Sequence, residues 1–138
     1  MKASSLLVVG FVLLHHGIAY HHGNQHTLLA IDMAFWQTAF INGIILVLPL
    51  IGAILVMTRW RIAGGYAVLL GMLGALVFGI VHHYMLVSPD HISHLPAAET
   101  HIHHAFIWTA GAIAILEGLA AMSAAYLIGS SASDAIYS

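Results

Sequence analysis

Residues 82–104 read HHYMLVSPDHISHLPAAETHIHH, and the fold of the chain can be worked out from this stretch. It separates two long apolar segments and holds seven of the protein's 12 histidines, together with Asp90 and Glu99. The other five histidines lie where the first apolar segment gives way to the second: His15, His16, His21, His22 and His26. The histidines therefore gather at two connections between apolar segments, and the topology decides whether these connections meet.

The composition indicates that lipid surrounds most of the chain. Of its 138 residues, 61% are hydrophobic and 6% are charged, with a mean hydropathy of +0.96. A soluble domain carries roughly a quarter charged residues, so this chain cannot cover a water-facing surface. Only three Lys and Arg residues are present, which leaves no basic patch for nucleic acid. The absence of cysteine excludes disulfides, thiolate metal sites and covalently attached c-type haem.

Hydropathy predicts an all-α integral membrane protein, a single four-helix transmembrane bundle over residues 1–128 with a flexible C-terminal tail, 129–138. The four helices are predicted at about 4–22, 28–58, 63–87 and 96–128. Each reaches the roughly 17 to 25 residues that a helix needs to cross hydrocarbon. Residues 1–19 can also be read as a cleaved signal peptide, but we treat them as part of a retained first span.

The cations predict the orientation of the bundle. Lys2 precedes the first span, and Arg59 and Arg61 fill the turn between the second and the third. With four spans all three lie on one side, which the positive-inside tendency makes cytoplasmic together with both termini. We therefore expect a multi-pass protein of the plasma membrane with its histidines on the extracytoplasmic side. Its expected partners are the lipid bilayer and either a larger membrane complex or further copies of the chain.

Small residues at four-residue spacing predict close helix packing. Gly71, Ala75 and Gly79 form one such row in the third span. Ala110, Ala114 and Gly118 form another in the fourth. Such rows allow the backbones of neighbouring helices to approach closely in lipid.

The helix rise of roughly 1.5 Å per residue places most of the histidines at one level, near the outer boundary. We predict a metal site there, and we expect its ligands to be His22, His82, His83, His101, His104 and Asp32. A further group is expected to support the ligands or to cover the site as a lid: His26, Asp90, His91, His94, Glu99 and His103. Imidazole and carboxylate without thiolate suit Cu, Zn or Fe. The number of candidates allows one ion or a dinuclear pair.

Glu117 lies deeper, in the fourth apolar segment, at the estimated level of His15 and His16. An ionisable group at that depth is costly and usually functional. We predict that Glu117, His15, His16 and Asn42 form an intramembrane proton or ion relay.

The doubled histidines resemble the histidine boxes of membrane di-iron hydroxylases and desaturases. However, His91-x-x-His94 and His101-x-His103-His104 do not reproduce the box spacings, and no family is assigned. The four-helix membrane b-type cytochromes are a second comparison, because they bind haem between histidines of facing helices.

Three functions therefore stay open at this point. The first is a metal site that is either catalytic, in the manner of an oxidoreductase or oxygenase, or used for metal handling. The second is a haem b electron carrier, with His15 or His16 opposite His82, His83 or His104. The third is a proton-coupled transporter or pH sensor that uses the histidines and Glu117.

Overall fold

A computed structural model describes residues 3–136, with side-chain environments for residues 3–131, and all regular structure in this range is helical. The four helices are α1 (Ala3–Leu28), α2 (Phe35–Leu55), α3 (Arg61–Met85) and α4 (Thr100–Ile136). Each contains a stretch that is long and apolar enough to cross a membrane. The predicted all-α architecture with four spans is confirmed, and the chain has the character of a multi-pass membrane protein.

The two ends of the bundle differ in the residues that they bring together. At one end, which we call the basic end, the Ser5 hydroxyl donates to the Val56 carbonyl at 3.0 Å, and the Arg61 guanidinium donates to the Ser131 hydroxyl. These bonds join the start of α1, the α2–α3 turn and the last described turns of α4. The connections 29–34 and 86–99 lie at the other end, the histidine end. Lys2 lies outside the described residues, and the side of the membrane that each end faces stays a prediction.

The basic half of the bundle holds a closely packed apolar core. Ten buried side chains form it: Val8, Val12, Ala53, Val56, Val68, Met72, Ala120, Ala121, Ala124 and Leu127. This cluster draws on all four helices, so burial of apolar surface holds the bundle together at this end.

Glycines let α2 and α3 approach closely here. A Cβ atom added to Gly52 would lie 2.8 Å from the Gly64 carbonyl oxygen, and one added to Gly71 would lie 2.7 Å from Pro49 Cγ. In contrast, Gly118 has nothing within 4 Å, and the nearest atom to a Cβ on Gly79 is 3.9 Å away. The predicted rows of small residues therefore make tight contact only in part, because they extend into the half where the helices separate.

Two helices contain π-helical turns toward the histidine end. In α2 the turns of Ile41–Val47 are π-helical and precede Pro49, which has no N–H to donate to an α-helical ladder. In α3 the last turn, Val81–Met85, is π-helical, and the Leu86 N–H donates to the Val81 carbonyl at 2.8 Å. A π turn adds a residue to the helical repeat and is frequent at functional sites. It changes the direction in which His82 and His83 project.

The helix ends differ from the predicted ones. α1 continues past residue 22 to Leu28 and ends in a Schellman motif, in which the Ile31 N–H donates to the His26 carbonyl at 3.0 Å and Ala30 has a positive φ of 49°. α2 begins at Phe35 rather than near 28, so Asp32 lies in the connection.

At its N-terminus, α4 begins at Thr100 rather than near 96. At its C-terminus it continues to Ile136, into the segment for which the sequence predicted a flexible tail. Residues 137–138 of that predicted tail lie outside the described residues.

Candidate metal centre

Three buried histidines meet at the histidine end, His22 and His26 from α1 and His83 from α3. His22 Nε2 lies 3.1 Å from His26 Nε2 and 3.3 Å from His83 Nε2. Each ring offers a nitrogen atom, and the three chosen atoms all lie within 4.8 Å of one another. The three Nε2 atoms therefore face a common point, and this group could hold a metal ion.

Local structure explains the convergence. His22 and His26 are four residues apart in an uninterrupted helix, so their side chains share one face. His83 comes from the π-helical last turn of α3. Phe106 of α4 is fully buried, and its ring centroid lies 4.6, 5.1 and 5.4 Å from those of His22, His26 and His83. The three imidazoles therefore pack against the buried ring of Phe106.

Hydrogen bonds select the tautomers of two of the rings. The Thr109 hydroxyl donates to the Ala105 carbonyl at 2.6 Å, so it accepts from His22 Nδ1–H at 2.9 Å. The Asp90 carbonyl oxygen can only accept, so His83 Nδ1 donates to it at 3.0 Å. In their neutral forms both rings then have a lone pair on Nε2, and the two lone pairs would face each other. A cation between them removes the repulsion.

Asp90 brings a carboxylate to the same place. Its Oδ1 atom lies 3.4 Å from His26 Nε2 and 3.2 Å from His83 Nδ1. Burial raises the pKa of Asp90, but the hydrogen bond from the His83 N–H and the positive charge of His83, His26 and His22 when protonated outweigh it, so the pKa lies below its usual value. The buried group is thus an anion, and it can serve as a fourth ligand or offset the charge of an ion.

A cavity of about 620 Å³ borders the histidine group. Its walls are mostly apolar, with Ala19 and Ile45 among the lining residues. Deeper in this cavity, His15 Nε2 lies 3.3 Å from Glu117 Oε1, and both side chains are buried. The structure therefore brings together two members of the predicted relay, next to the histidine group.

The other members of the predicted relay, His16 and Asn42, make no hydrogen bond to Glu117 within the described part of the chain, although His16 lines the same cavity. His16 uses both ring nitrogens on backbone carbonyl oxygens, that of Val12 at 2.8 Å and that of Leu46 at 2.9 Å, and so links α1 to α2. Asn42 is exposed on the π-helical part of α2. The hydrogen-bonded contact within the predicted relay is that of His15 with Glu117, and the relay itself stays a prediction.

Several of the predicted metal ligands are not part of the group. His82 donates from Nδ1 to the Phe78 carbonyl at 2.9 Å and stacks on the Phe78 ring, with 4.0 Å between centroids. Asp32 and His104 are exposed. His101 is also exposed, and its Nδ1 lies 3.2 Å from Glu99 Oε2. Asp32 lies outside α2 because that helix begins at Phe35, whereas His101 and His104 are on an exposed face of α4.

The predicted lid makes contacts of its own. His91 Nδ1 accepts from the Ser93 N–H at 3.1 Å, so His94 Nδ1 donates to it, also across 3.1 Å. His103 Nε2 donates to the Pro96 carbonyl at 2.7 Å. These bonds shape the 86–99 connection around Asp90. They do not add ligands to the group of His22, His26 and His83.

Two residues of the site were not identified from the sequence, Thr109 and Phe106. A threonine among the apolar residues of a span is a signal for a hydrogen bond between helices, but its partner is known only from the fold. His26 was expected to support the ligands, yet its Nε2 faces the same point as those of His22 and His83. Its spacing of four residues from His22 was the available signal.

The distances suit a small cation. Metal–nitrogen bonds of about 2.0–2.1 Å at tetrahedral angles put neighbouring nitrogens about 3.3–3.4 Å apart. The two Nε2 separations of 3.1 and 3.3 Å come close to this value. The spacing of His22 from each of its two neighbours is therefore close to that of ligands on one ion.

Comparison of the chain with protein-family models, with curated proteins and with solved structures gives no match.

Proposed function

We propose that the protein is an integral membrane metalloprotein that binds one divalent transition metal through Nε2 of His22, His26 and His83. Asp90 lies close enough to be the fourth ligand or the charge partner. The observation that carries the proposal is the convergence of three Nε2 atoms, two of them on rings whose Nδ1 atoms bond to other groups and leave Nε2 available to a metal. Imidazole with carboxylate suits zinc, iron or copper(II).

The spacing of the nitrogens favours an ion over haem. Two axial imidazoles on opposite sides of a haem iron, with bonds of about 2 Å, would place their nitrogens about 4 Å apart. Nε2 of His22 and of His83 are 3.3 Å apart, and Nε2 of His26 is 3.1 Å from that of His22. A porphyrin between His22 and His83 would need these rings to separate, which supports an ion at this group.

The core of the basic half argues against proton transport across the bundle. Within the described residues, no buried histidine or carboxylate lies on the basic side of the His15–Glu117 pair. The hydroxyls of Ser5 and Ser123 in that half donate to backbone carbonyls. The apolar core therefore interrupts any chain of titratable groups.

The adjoining cavity favours catalysis over metal storage. Catalytic metal sites commonly have three protein ligands and leave a position open to substrate. Here the imidazoles of His22, His26 and His83 all line the 620 Å³ cavity. We propose that the ion acts on a molecule bound there, and that this end of the bundle faces the extracytoplasmic side.

Metal analysis of the purified protein tests the proposal. The full chain, isolated in detergent, should contain about one equivalent of Zn, Fe or Cu and show no Soret band. The His83→Ala variant should lose the metal, whereas His104→Ala should retain it because His104 is exposed and outside the group. A Soret band, or equal metal content in wild type and His83→Ala, would contradict the proposal.

A further inference from the structure

The cavity beside the metal centre opens between two helices. α1 packs against the Leu48–Leu55 part of α2, but its approach to the Phe35–Val47 part is slight. The cavity is lined from both sides of this gap, by Tyr20 of α1 and by Ile41 and Ile45 of α2. Tyr20 is 76% exposed and lies on the rim. The gap between α1 and this part of α2 is thus on the side of the bundle, where a membrane would place lipid.

A carboxylate with free acceptor capacity lies inside. Glu117 is 2% exposed, and its Oε2 atom makes no hydrogen bond within the described part of the chain. His15 Nδ1 likewise has no hydrogen-bond partner there. A buried acceptor without a partner is costly, so a ligand that donates a hydrogen bond to Glu117 Oε2 would be stabilised.

Glu117 and the metal centre border the same part of the cavity. The position of a Cβ atom on Gly79 would be 4.0 Å from Glu117 Oε2 and 3.9 Å from His83 Cδ2. Because Gly79 has no side chain, the space between the carboxylate and the imidazole stays open. One small polar group placed there can therefore reach both.

The charges define which polar group fits. Glu117 is paired with His15, and Asp90 lies against His26 and His83, so neither an anionic nor a cationic head group meets an unpaired opposite charge here. A hydroxyl group is neutral, presents an oxygen lone pair to a metal and a hydrogen to a carboxylate. The remaining wall is apolar, and a volume of about 620 Å³ lies within the range for small-molecule sites, about 300–1,000 Å³.

We infer that this cavity binds a neutral, lipid-soluble hydroxyl compound that enters from the bilayer between α1 and the outer half of α2. Its hydroxyl oxygen faces the metal, and its O–H donates a hydrogen bond to Glu117 Oε2. Its apolar body packs against the wall formed by Ile41, Ile45 and Ala114. The inference rests on the proposed function, because one of the two groups that recognise the hydroxyl is the metal.

The visible bands of cobalt(II) can report first on metal binding and then on ligand binding. The full chain is reconstituted in lipid nanodiscs, which avoids sugar detergents with hydroxyls of their own, and is loaded with Co(II). Its visible bands first show whether the metal binds. It is then titrated with 1-dodecanol and with a short-chain ubiquinol analogue, and with dodecane and dodecanoate as controls. We expect the alkanol, the quinol or both to shift the bands saturably, and the two controls to leave them unchanged.

Two variants locate the binding. Glu117→Gln should keep the cobalt bands of the free protein and weaken hydroxyl binding about ten-fold or more, because a hydrogen bond to a charged acceptor is lost. Ala114→Phe should keep the cobalt bands and abolish the response, since the ring fills the cavity. The control is Ile115→Phe, an exposed neighbour on α4, which should respond like the wild type.

The outcomes separate the two proposals. Absence of cobalt bands in the wild-type protein would overturn the metal centre itself. Cobalt bands that neither hydroxyl compound alters, or that dodecane or dodecanoate alters equally, would overturn the cavity proposal and leave the metal centre standing. If Ala114→Phe fails to fold, Glu117→Gln decides, because it removes a charge without adding volume, and an unchanged affinity in that variant would also overturn the cavity proposal.

Discussion

The same four helices pack closely in one half of the bundle and separate in the other. In the basic half the helices close on one another, with backbone contacts at Gly52 and Gly64 and a continuous apolar core. In the histidine half α1 and α2 separate, π-helical turns interrupt α2 and α3, and a cavity contains buried histidines and carboxylates. One half is built from groups that pack well, and the other contains groups that are costly to bury.

This difference indicates that the basic half stabilises the fold and that the histidine half binds ligands. Close packing gives a fold its stability, and buried polar groups with unmet hydrogen bonds reduce that stability. Their cost is offset where a bound ligand completes those hydrogen bonds. We therefore expect substitutions in the basic half to act on folding, and substitutions in the histidine half to act on metal and ligand binding.

The largest expected change in the free energy of unfolding comes from a substitution in the packed basic half. Gly52→Ala would place a methyl group 2.6 Å from Val68 Cγ2 and 2.8 Å from the Gly64 carbonyl oxygen. Since the backbone of α3 cannot easily move, the free energy of unfolding should fall by about 3 kcal/mol. Unfolding in mixed micelles measures this change. The matched control is Gly118→Ala, which has open space around it and should be neutral or stabilising.

If the Gly52→Ala variant proved as stable as Gly118→Ala, the close backbone contact of α2 with α3 at Gly52 would be contradicted.

The next effect belongs to the metal centre. Zinc at 100 times its dissociation constant should raise the free energy of unfolding of the wild type by about 2.7 kcal/mol, because it binds only the folded state. His26→Ala should abolish this gain, whereas His101→Ala should keep it, since the His101 side chain is 74% exposed. Thermal or denaturant unfolding with and without zinc measures the difference. Equal stabilisation of both variants would exclude His26 as a ligand.

A smaller effect is expected where a neighbour orients a ligand. Thr109→Val keeps the shape of the side chain but removes the hydroxyl that accepts from His22 Nδ1. Loss of such a partner typically lowers metal affinity about 10–100-fold. Competition with a chromophoric chelator measures the affinity. Thr38→Val, at an exposed position in the first turns of α2, is the control and should bind metal like the wild type; an unchanged affinity in Thr109→Val would show that this bond does not fix the ring.

The smallest effect concerns the end of α1, just after His26. Ala30 has a φ of 49°, which costs an L-residue about 1 kcal/mol and costs glycine little. Ala30→Gly should therefore raise the free energy of unfolding by up to about 1 kcal/mol, and Ala30→Val should lower it. Metal affinity should not change in the glycine variant. A destabilised glycine variant would contradict the Schellman ending of α1.

The sequence predicted more about the placement of groups along the helices than about their direction. Counting residues placed Glu117 at the level of His15, and the two side chains are in contact. The same counting placed His82 and His83 together at the histidine end. It could not show that His83 joins the site while His82 stacks on Phe78. Neighbouring residues on a helix differ by about 100° in direction, and a π turn changes that direction again.

Helix rotation and helix ends account for the remaining differences. His101 and His104 were chosen because residues three apart share a helix face, but that face of α4 is turned outward and both side chains are exposed. Asp32 lies before α2 rather than in its first turns. A shift of a few residues at a helix end is within the usual uncertainty of boundaries from sequence, yet it decides whether a side chain faces the bundle or the surroundings.

The sequence by itself determined the four helices, their alternation and the gathering of the histidines at one end, because hydropathy and segment length fix how a chain can fold in lipid. Only the tertiary structure decided which histidines converge. That choice depends on the rotation of each helix, on the π turn before His83 and on packing against Phe106. These are set by contacts between helices that are distant in sequence, and no local pattern records them.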